Sequence, residues 1–203
     1  MSRSAVIIMA KAPVAGLAKT RLIPVLGAAG AAALAERMLA HATQVAAEAT
    51  PDTLEVCATP DVTHPAFARL ARDHSLELTR QSDGDLGQRM HRAFTRLLEL
   101  HDRAVMIGTD APALDAACVR QALDSLAEQD AVFVPALDGG YALIGLRKPQ
   151  ACLFDGMAWS TALVMARTRE RLQAAGLRWA ELPPVADVDE PADLVHLPAG
   201  WLP

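Results

Sequence analysis

The chain has 203 residues, a length that fits one domain or a domain with a small lobe. Apolar residues make up 52% and charged residues 21%, a balance that excludes intrinsic disorder. The net charge of −5 comes from 24 acidic and 19 basic residues, without a basic face for a phosphate polymer, so we expect no nucleic-acid partner.

The cysteines and the apolar runs predict the cellular location. Cys57, Cys118 and Cys152 stand far apart without a Cys-x-x-Cys pair, which is typical of reduced thiols in a cytosolic protein and predicts no zinc site. The longest early apolar run, residues 5–10, is too short for a signal peptide or a membrane span. We therefore expect a cytoplasmic protein without membrane insertion, folded as one domain over residues 1–203.

Strands and helices are predicted to alternate along the first half of the chain. Residues 5–10 form an unbroken apolar run, as expected of a central strand covered on both faces, and a loop containing Pro and Gly follows to residue 24. The next elements are a helix over 27–49, a strand over 54–59, a helix over 64–74, a strand over 76–78, a helix over 86–100 and a strand over 104–108.

The second half continues the alternation. Asp115 is predicted to cap a helix that runs to about residue 128, and Ser160 to start one that reaches residue 175, with Gly176 as its stop. The strands are 131–136, 141–146 and 177–182. This order predicts an α/β three-layer sandwich with a largely parallel sheet. Ligands bind beyond the carboxyl ends of such strands, so loops 11–24, 109–114 and 138–140 are predicted to form the site.

The loop after the first strand concentrates cations. The chain has only three Lys, and two of them, Lys11 and Lys19, lie here together with Arg21. Gly16 would let the backbone come close to a ligand, and amides with cations suit a phosphate or diphosphate. The alternative is an ordinary solvated loop, since the segment is neither a Walker A sequence nor Gly-x-Gly-x-x-Gly.

Two aspartates are candidate metal ligands. Asp110 directly follows the apolar run 105–108, where a carboxylate suits Mg²⁺ or Mn²⁺, although Asp before Ala-Pro also starts turns. Asp189 lies in a segment with four acids in seven residues, 187–193. By default that segment is a solvated turn leading into a short helix, and otherwise it supplies a second metal carboxylate.

The loop between the strands at 131–136 and 141–146 admits two compatible interpretations. Asp138 and Gly139 between apolar runs are a strong hairpin signal. Together with Gly140 and Tyr141 they would also let a sugar approach the main chain.

Two further segments carry candidates. Asp85 either caps a helix or acts in catalysis, and Arg89 either forms an ion pair or reaches a phosphate. Trp159 and Ser160 read either as a Trp packed under a helix N-terminus or as an aromatic wall for an acceptor.

Taken in order, these segments resemble a bacterial group of GT-A-like transferases, often left as a domain of unknown function, with some members named arsenosugar-biosynthesis-type glycosyltransferases. The resemblance covers about residues 5–196. More distantly, the chain is similar to phospholactate and molybdenum-cofactor guanylyltransferases. The segments are residues 6–22 (VIIMAKAPVAGLAKTRL), 84–90 (GDLGQRM), 107–112 (IGTDAP), 138–146 (DGGYALIGL), 159–161 (WST) and 187–194 (DVDEPADL).

The resemblance implies a nucleotide-diphospho-sugar transferase fold with a mixed, mostly parallel sheet. It implies that Lys11, Lys19 and Arg21 hold nucleotide phosphates and that Asp110 and Asp189 hold Mg²⁺ or Mn²⁺. The chain departs from the common Ser-Asp-x-Pro-Asp-Leu pattern, because Ala113 replaces the second acid. We favour a helix-capping role for that acid, which Asp115 would take over.

The resemblance implies a metal-dependent glycosyltransferase with a nucleotide-sugar donor and a small-molecule acceptor. A general base for that reaction would be Asp138, by its loop position, with Asp85 behind it. The alternative is a nucleotidyltransferase that uses an NTP and releases pyrophosphate, since Lys-Thr-Arg-Leu at residues 19–22 is close to the guanylyltransferase variant. A catalytically silent nucleotide-binding protein is a third reading, supported only by Ala113.

Overall fold

One seven-stranded sheet organises the chain in a computed structural model that describes residues 3–202. The spatial order of the strands is β3-β2-β1-β4-β6-β5-β7. Their bounds are β1 Ser4–Lys11, β2 Thr53–Thr59, β3 Glu77–Arg80, β4 Arg103–Ile107, β5 Ala131–Pro135, β6 Tyr141–Leu146 and β7 Trp179–Glu181.

Within residues 3–202, five α-helices cover the two faces of the sheet. Buried side chains from α1, α2 and α4 pack on one face, and those from α3 and α5 pack on the other. The predicted three-layer sandwich is therefore confirmed. The bounds are α1 Ile23–Glu48, α2 Pro65–His74, α3 Leu86–Leu98, α4 Ala116–Ser125 and α5 Val164–Ala174, with short 3₁₀ turns at Thr20–Leu22, Ala151–Leu153 and Pro191–His196.

Strand direction brings the predicted loops to one edge. β6 runs antiparallel to both β4 and β5, and the other strand pairs are parallel. β1, β4 and β5 consequently end at the same edge of the sheet, and β6 begins at that edge. This confirms the mixed, mostly parallel sheet and places the loops after these three strands side by side.

Two helices begin at residues other than those predicted. α5 starts at Val164 rather than Ser160, because Ser160 has a left-handed backbone (φ 59°) that cannot continue a helix. α1 starts at Ile23, but Gly27 interrupts it with φ 70° and ψ 166°. The regular helix therefore follows Gly27, close to the predicted start.

A small third cluster of apolar side chains lies beside the site edge. Leu22, Leu34 and Met38 pack there with Val188, which is fully buried. This cluster fixes the C-terminal segment against the end of the first loop, so that residues far apart in sequence become neighbours.

One stretch in residues 3–202, Thr20–Glu48, is long and apolar enough to cross a membrane by those two criteria alone. Core helices pass the same test, and α1 supplies Leu39, Val45 and Ala46 to the core. The cytoplasmic location stays a prediction, as does the single domain.

A buried ion pair fastens α3 to the sheet. The Glu55 carboxylate is fully buried and accepts two hydrogen bonds from the Arg96 guanidinium, at 2.7 and 2.6 Å, and one from the Thr79 hydroxyl. A buried carboxylate without partners costs folding free energy. The main contribution of Arg96 to stability is therefore that it supplies Glu55 with a partner, rather than the attraction between the two charges.

We expect Arg96→Met to lower the free energy of unfolding by about 3 kcal/mol, at the lower end for a broken buried pair because Arg96 is half exposed. Urea denaturation measures the loss. The control is Glu55→Gln/Arg96→Met, which removes both charges and should recover most of the stability. Equal losses in the single and double variants would show that the unpaired charge is not the cause.

Candidate functional site

A cavity of about 740 Å³ opens at the edge where β1, β4 and β5 end. That volume is within the range of small-molecule sites. Eleven of the fourteen residues predicted from the sequence line it: Lys11, Lys19, Arg21, Arg89, Asp110, Asp138, Gly140, Tyr141, Trp159, Ser160 and Asp189.

The Lys19 ammonium connects three segments of the chain at one end of this cavity. Its Nζ lies 2.6 Å from Asp110 Oδ1 and 2.8 Å from Asp189 Oδ1, and donates to the Val188 carbonyl at 2.5 Å. An ammonium has three N–H donors. The side chain is only 8% exposed, and three protein oxygens therefore take up its full donor capacity.

The backbone holds this arrangement in place. Lys19 has a left-handed backbone conformation (φ 46°) immediately before the Thr20–Leu22 turn. The Val188 N–H donates to the Asp110 carbonyl at 2.8 Å, which joins the two segments that carry the carboxylates. Burial by itself would lower the pKa of Lys19, but the charges of Asp110 and then Asp189 outweigh it, and the pKa lies above its usual value. The ammonium stays protonated.

The two carboxylates fit a divalent cation. Both oxygens approach a single nitrogen within 2.8 Å, so one cation between them can contact both. Mg²⁺ and Mn²⁺ prefer oxygen ligands, and Mg²⁺ is commonly held by one or two carboxylates together with substrate phosphates. Residues 3–202 contain no group of three or more His, Cys, Asp or Glu side chains that could hold a metal ion. A metal here would draw its remaining ligands from a substrate or water.

Three other cations line the same cavity. Lys11 is exposed, and the exposed Arg21 lies 3.6 Å from Glu190 Oε1. Arg89 donates from Nε to the Gly84 carbonyl at 2.8 Å. This half of the cavity, which we call the charged half, is defined by Lys11, Lys19, Arg21, Arg89 and the two carboxylates.

Sequence reasoning missed Gln81. Its amide donates to the carbonyls of Ala10 (3.2 Å) and Cys57 (3.0 Å), and so bridges β1 and β2 beneath the cavity. Its Oε1 lies 3.5 Å from Arg89 Nη1. A polar residue just after a short strand carries no signal of such a role, because its partners lie on two other strands.

The opposite half of the cavity is apolar and aromatic, and we call it the aromatic half. Tyr141 packs edge-on against Phe133 and Trp159, with ring centroids 5.5 and 6.4 Å apart. Met90 and Ile144 complete the wall. Burial raises the pKa of Tyr141 well above its usual value, so the phenol stays neutral.

The Trp159 ring packs in space that is open because Gly87 has no side chain. A Cβ at Gly87, in the first turn of α3, would lie 2.7 Å from Trp159 Nε1 and 2.8 Å from the Phe154 carbonyl. The indole also stacks on Phe154, with centroids 6.5 Å apart. In the part of the chain that the structure describes, the buried Trp159 Nε1 finds no hydrogen-bond acceptor. Packing therefore decides where this ring lies.

Asp138 lies between the cavity and a smaller cleft. Its Oδ1 accepts from the Gly140 N–H at 2.7 Å, which orients the carboxylate within the β5–β6 turn. The adjoining cleft of about 360 Å³ also includes Asp187 and Asp193. Burial, and then the charges of Asp138, Asp189 and Asp193, raises the pKa of Asp187 to about 6. Asp138 therefore lies close to other negatively charged carboxylates.

Three sequence candidates lie outside the cavity lining, and each has a structural explanation. Asp85 is the N-cap of α3: its Oδ1 accepts from the Gln88 N–H at 2.9 Å, which is the capping role that the sequence also allows. Gly139 (φ 95°) has no room for a side chain, because a Cβ would lie 2.2 Å from the Ala162 carbonyl oxygen. Gly16 is an exposed turn glycine (φ 81°).

The acid missing at Ala113 has little consequence for the cavity. Ala113 is exposed and outside the lining, and Asp115 caps α4 by accepting from the Cys118 N–H at 2.7 Å. The predicted capping role of Asp115 is confirmed.

Comparisons with known proteins agree with this architecture. The model of a family described as uncharacterized proteins conserved in bacteria (DUF2064) matches residues 38–161. A crystal structure from Desulfovibrio desulfuricans G20, provisionally named a nucleotide-diphospho-sugar transferase, is 34% identical with a TM-score of 0.86, over 96% of this chain and 85% of that chain. Among proteins of curated function, no match was found.

More distant structures share the fold. A nucleotidyl transferase from Methanothermobacter thermautotrophicus is 15% identical with a TM-score of 0.63, over 99% of this chain and 98% of that one. Glucosyl-3-phosphoglycerate synthase from Mycobacterium tuberculosis, in complex with Mn²⁺, UDP and glucosyl-3-phosphoglycerate, is 11% identical with a TM-score of 0.57, over 96% and 75%. The predicted family resemblance and fold are confirmed, and several of the proteins that share the fold are named as transferases.

We expect Gly87→Ala to displace the Trp159 ring, because the new methyl group would overlap the indole. The measurement is the fluorescence of Trp159 in a protein whose Trp179 and Trp201 are replaced by Phe. Overpacking of this kind also costs about 1–3 kcal/mol of stability.

The matched control for this prediction is Gly108→Ala, where a Cβ meets no atom within 4 Å. Its Trp159 spectrum should equal that of the parent. An unchanged spectrum in the Gly87→Ala protein would contradict the packing argument.

Proposed function

The chain belongs to the DUF2064 family of bacterial proteins, and on that premise we propose that it is a metal-dependent glycosyltransferase. Its donor would be a nucleotide sugar and its acceptor a small molecule. The division of one cavity into a charged half and an aromatic half carries the proposal. A nucleotide diphosphate needs cations, and a neutral acceptor needs apolar surface and a nearby base.

The charged half suits the donor's diphosphate. Lys11 and Arg21 are exposed at its rim and can reach phosphate oxygens without losing a buried partner. Arg89 lines the same space, positioned by the Gly84 carbonyl. Together these cations would neutralise the phosphates and orient the bond to be broken, which is the main form of catalysis available to a transferase of this kind.

Asp110 and Asp189 would hold a divalent metal, Mg²⁺ or Mn²⁺, between themselves and the diphosphate. Such an ion supplies charge neutralisation and Lewis acidity toward the leaving phosphate. Asp110 follows β4 by three residues, and Asp189 is adjacent to the fully buried Val188, so both carboxylates lie next to packed parts of the chain.

Asp138 is the candidate general base. Its carboxylate is oriented by the Gly140 N–H, lines the cavity and is close in sequence to Tyr141 in the aromatic half. A base there would take the proton of an acceptor hydroxyl as that oxygen attacks the sugar. Trp159, Tyr141 and Ser160 would contact the acceptor, and the exposed Ser160 is available for hydrogen bonding.

A nucleotidyltransferase is the alternative. The same charged half would take an NTP, and the Lys-Thr-Arg-Leu sequence at residues 19–22 is the feature that favours this reading. Both reactions need the metal and the cations, so the cavity supports either. The two reactions differ in what leaves the donor.

Product analysis separates the two functions. Incubation with Mn²⁺, an acceptor panel and either nucleotide sugars or NTPs should release a nucleoside diphosphate for sugar transfer and pyrophosphate for nucleotidyl transfer. Pyrophosphate would replace the proposed function by the alternative. Nucleotide binding without turnover of any donor would support a catalytically silent nucleotide-binding protein and would contradict both transferase functions.

We expect Asp138→Asn to reduce kcat by about 10²-fold or more, because the amide can still accept from Gly140 but cannot take a proton. The matched control is Asp85→Asn. Asp85 caps α3 and does not line the cavity, so this substitution should leave kcat within about twofold of the unaltered protein. A loss below about tenfold in the Asp138 variant would exclude Asp138 as the base.

A further inference from the structure

A lysine occupies the position that the proposed metal would take. The Lys19 ammonium lies between Asp110 Oδ1 (2.6 Å) and Asp189 Oδ1 (2.8 Å), the two carboxylates assigned above to a divalent ion. We propose that Lys19 is an internal cation which a metal must displace, and that the donor's diphosphate makes this displacement favourable. Metal and nucleotide then bind together, an inference that rests on the proposed function of the site.

Donor counting supports the displacement. The three N–H donors of Lys19 are directed to Asp110, Asp189 and the Val188 carbonyl. A phosphate oxygen can gain a bond from this ammonium only if one of these oxygens gives up its own. The sequence-based role of Lys19 as a phosphate ligand is therefore incompatible with its present contacts, and requires that the carboxylates be satisfied by another cation.

Charge explains why metal alone should bind weakly. One ammonium and two carboxylates leave a single net negative charge around a Lys19 side chain that is 8% exposed, whereas the side chains of Asp110 and Asp189 are 44% and 41% exposed. A divalent ion added there would stand beside the ammonium and be repelled by it, since a partly buried pair is poorly screened. A diphosphate changes the balance, because its negative charges attract the metal and give the displaced ammonium a new partner.

The local structure allows the ammonium to move without unfolding the loop. Lys19 is the last residue before the Thr20–Leu22 turn, and Leu22 is anchored in the cluster with Val188. A lysine carries its charge on a flexible four-carbon stem, so the ammonium can turn toward the phosphate side of the cavity. The Val188 carbonyl remains available as a fixed neighbour.

The consequence is a reciprocal coupling. If nucleotide raises metal affinity by displacing Lys19, metal must raise nucleotide affinity by the same factor. The site would thus bind free divalent ions and free nucleotide weakly, and bind the metal–nucleotide complex more tightly.

Mn²⁺ binding tests this directly, measured from the electron paramagnetic resonance signal of free Mn²⁺ without any turnover. We expect Lys19→Met to bind Mn²⁺ alone about tenfold more tightly than the unaltered protein, because the competing charge is gone. Lys148→Met is the matched control, since it removes an exposed lysine that does not line the cavity and should change Mn²⁺ affinity by less than about twofold.

The coupling is measured by repeating the titration with UDP or GDP. In the unaltered protein we expect the nucleoside diphosphate that binds to raise Mn²⁺ affinity by about 5- to 150-fold. In Lys19→Met the increase should be much smaller, because no displacement remains to be driven. Thermal melting gives a second readout: the variant should melt lower without metal and recover on addition of Mn²⁺.

Equal Mn²⁺ affinity in the unaltered and Lys19→Met proteins would overturn the proposal, and release of a nucleoside diphosphate from a nucleotide sugar would still leave the proposed function standing. Tighter Mn²⁺ binding by the variant, with no effect of UDP or GDP on either protein, would retain Lys19 as the competitor but refute the coupling. If Lys19→Met does not fold, Lys19→Gln and the nucleotide dependence of the unaltered protein decide the matter.

Discussion

The buried ammonium of Lys19 is the contact on which the geometry of the site depends. It joins the first loop to Asp110, after β4, and to Asp189, 170 residues further along the chain than Lys19. Without a cation the two negatively charged carboxylates would repel each other. Their proximity, which a metal also requires, is therefore maintained by a side chain of the protein itself.

The sheet order makes that contact possible and also divides the cavity. β1 and β4 are parallel neighbours, so their following loops meet, and Lys19 reaches Asp110. The antiparallel β6 lies between β4 and β5 and brings Tyr141 to the same edge. The charged half thus lies over β1 and β4, and the aromatic half over β6. Close packing completes the second half, because Gly87 leaves room for Trp159.

Features that depend on neighbouring residues were predictable. The unbroken apolar run at residues 5–10 lies within the central strand β1, and the Asp-Gly-Gly turn joins two antiparallel strands. Asp115 caps its helix as expected, and Asp85 caps α3, which is one of the two roles that the sequence allows. Ser160 was misassigned as a helix start because nothing adjacent to it in the chain reveals its left-handed backbone.

Residue order alone predicts the alternation of strands and helices, the edge at which the site lies and most of the residue types that line it. Which of these residues meet depends on the folded chain. Lys19 pairs with two carboxylates rather than standing free for a phosphate, and Gln81 bridges two strand ends that no spacing connects. The reason is physical: periodicity and capping arise from bonds within a few residues, whereas ion pairs across the chain depend on strand order and direction.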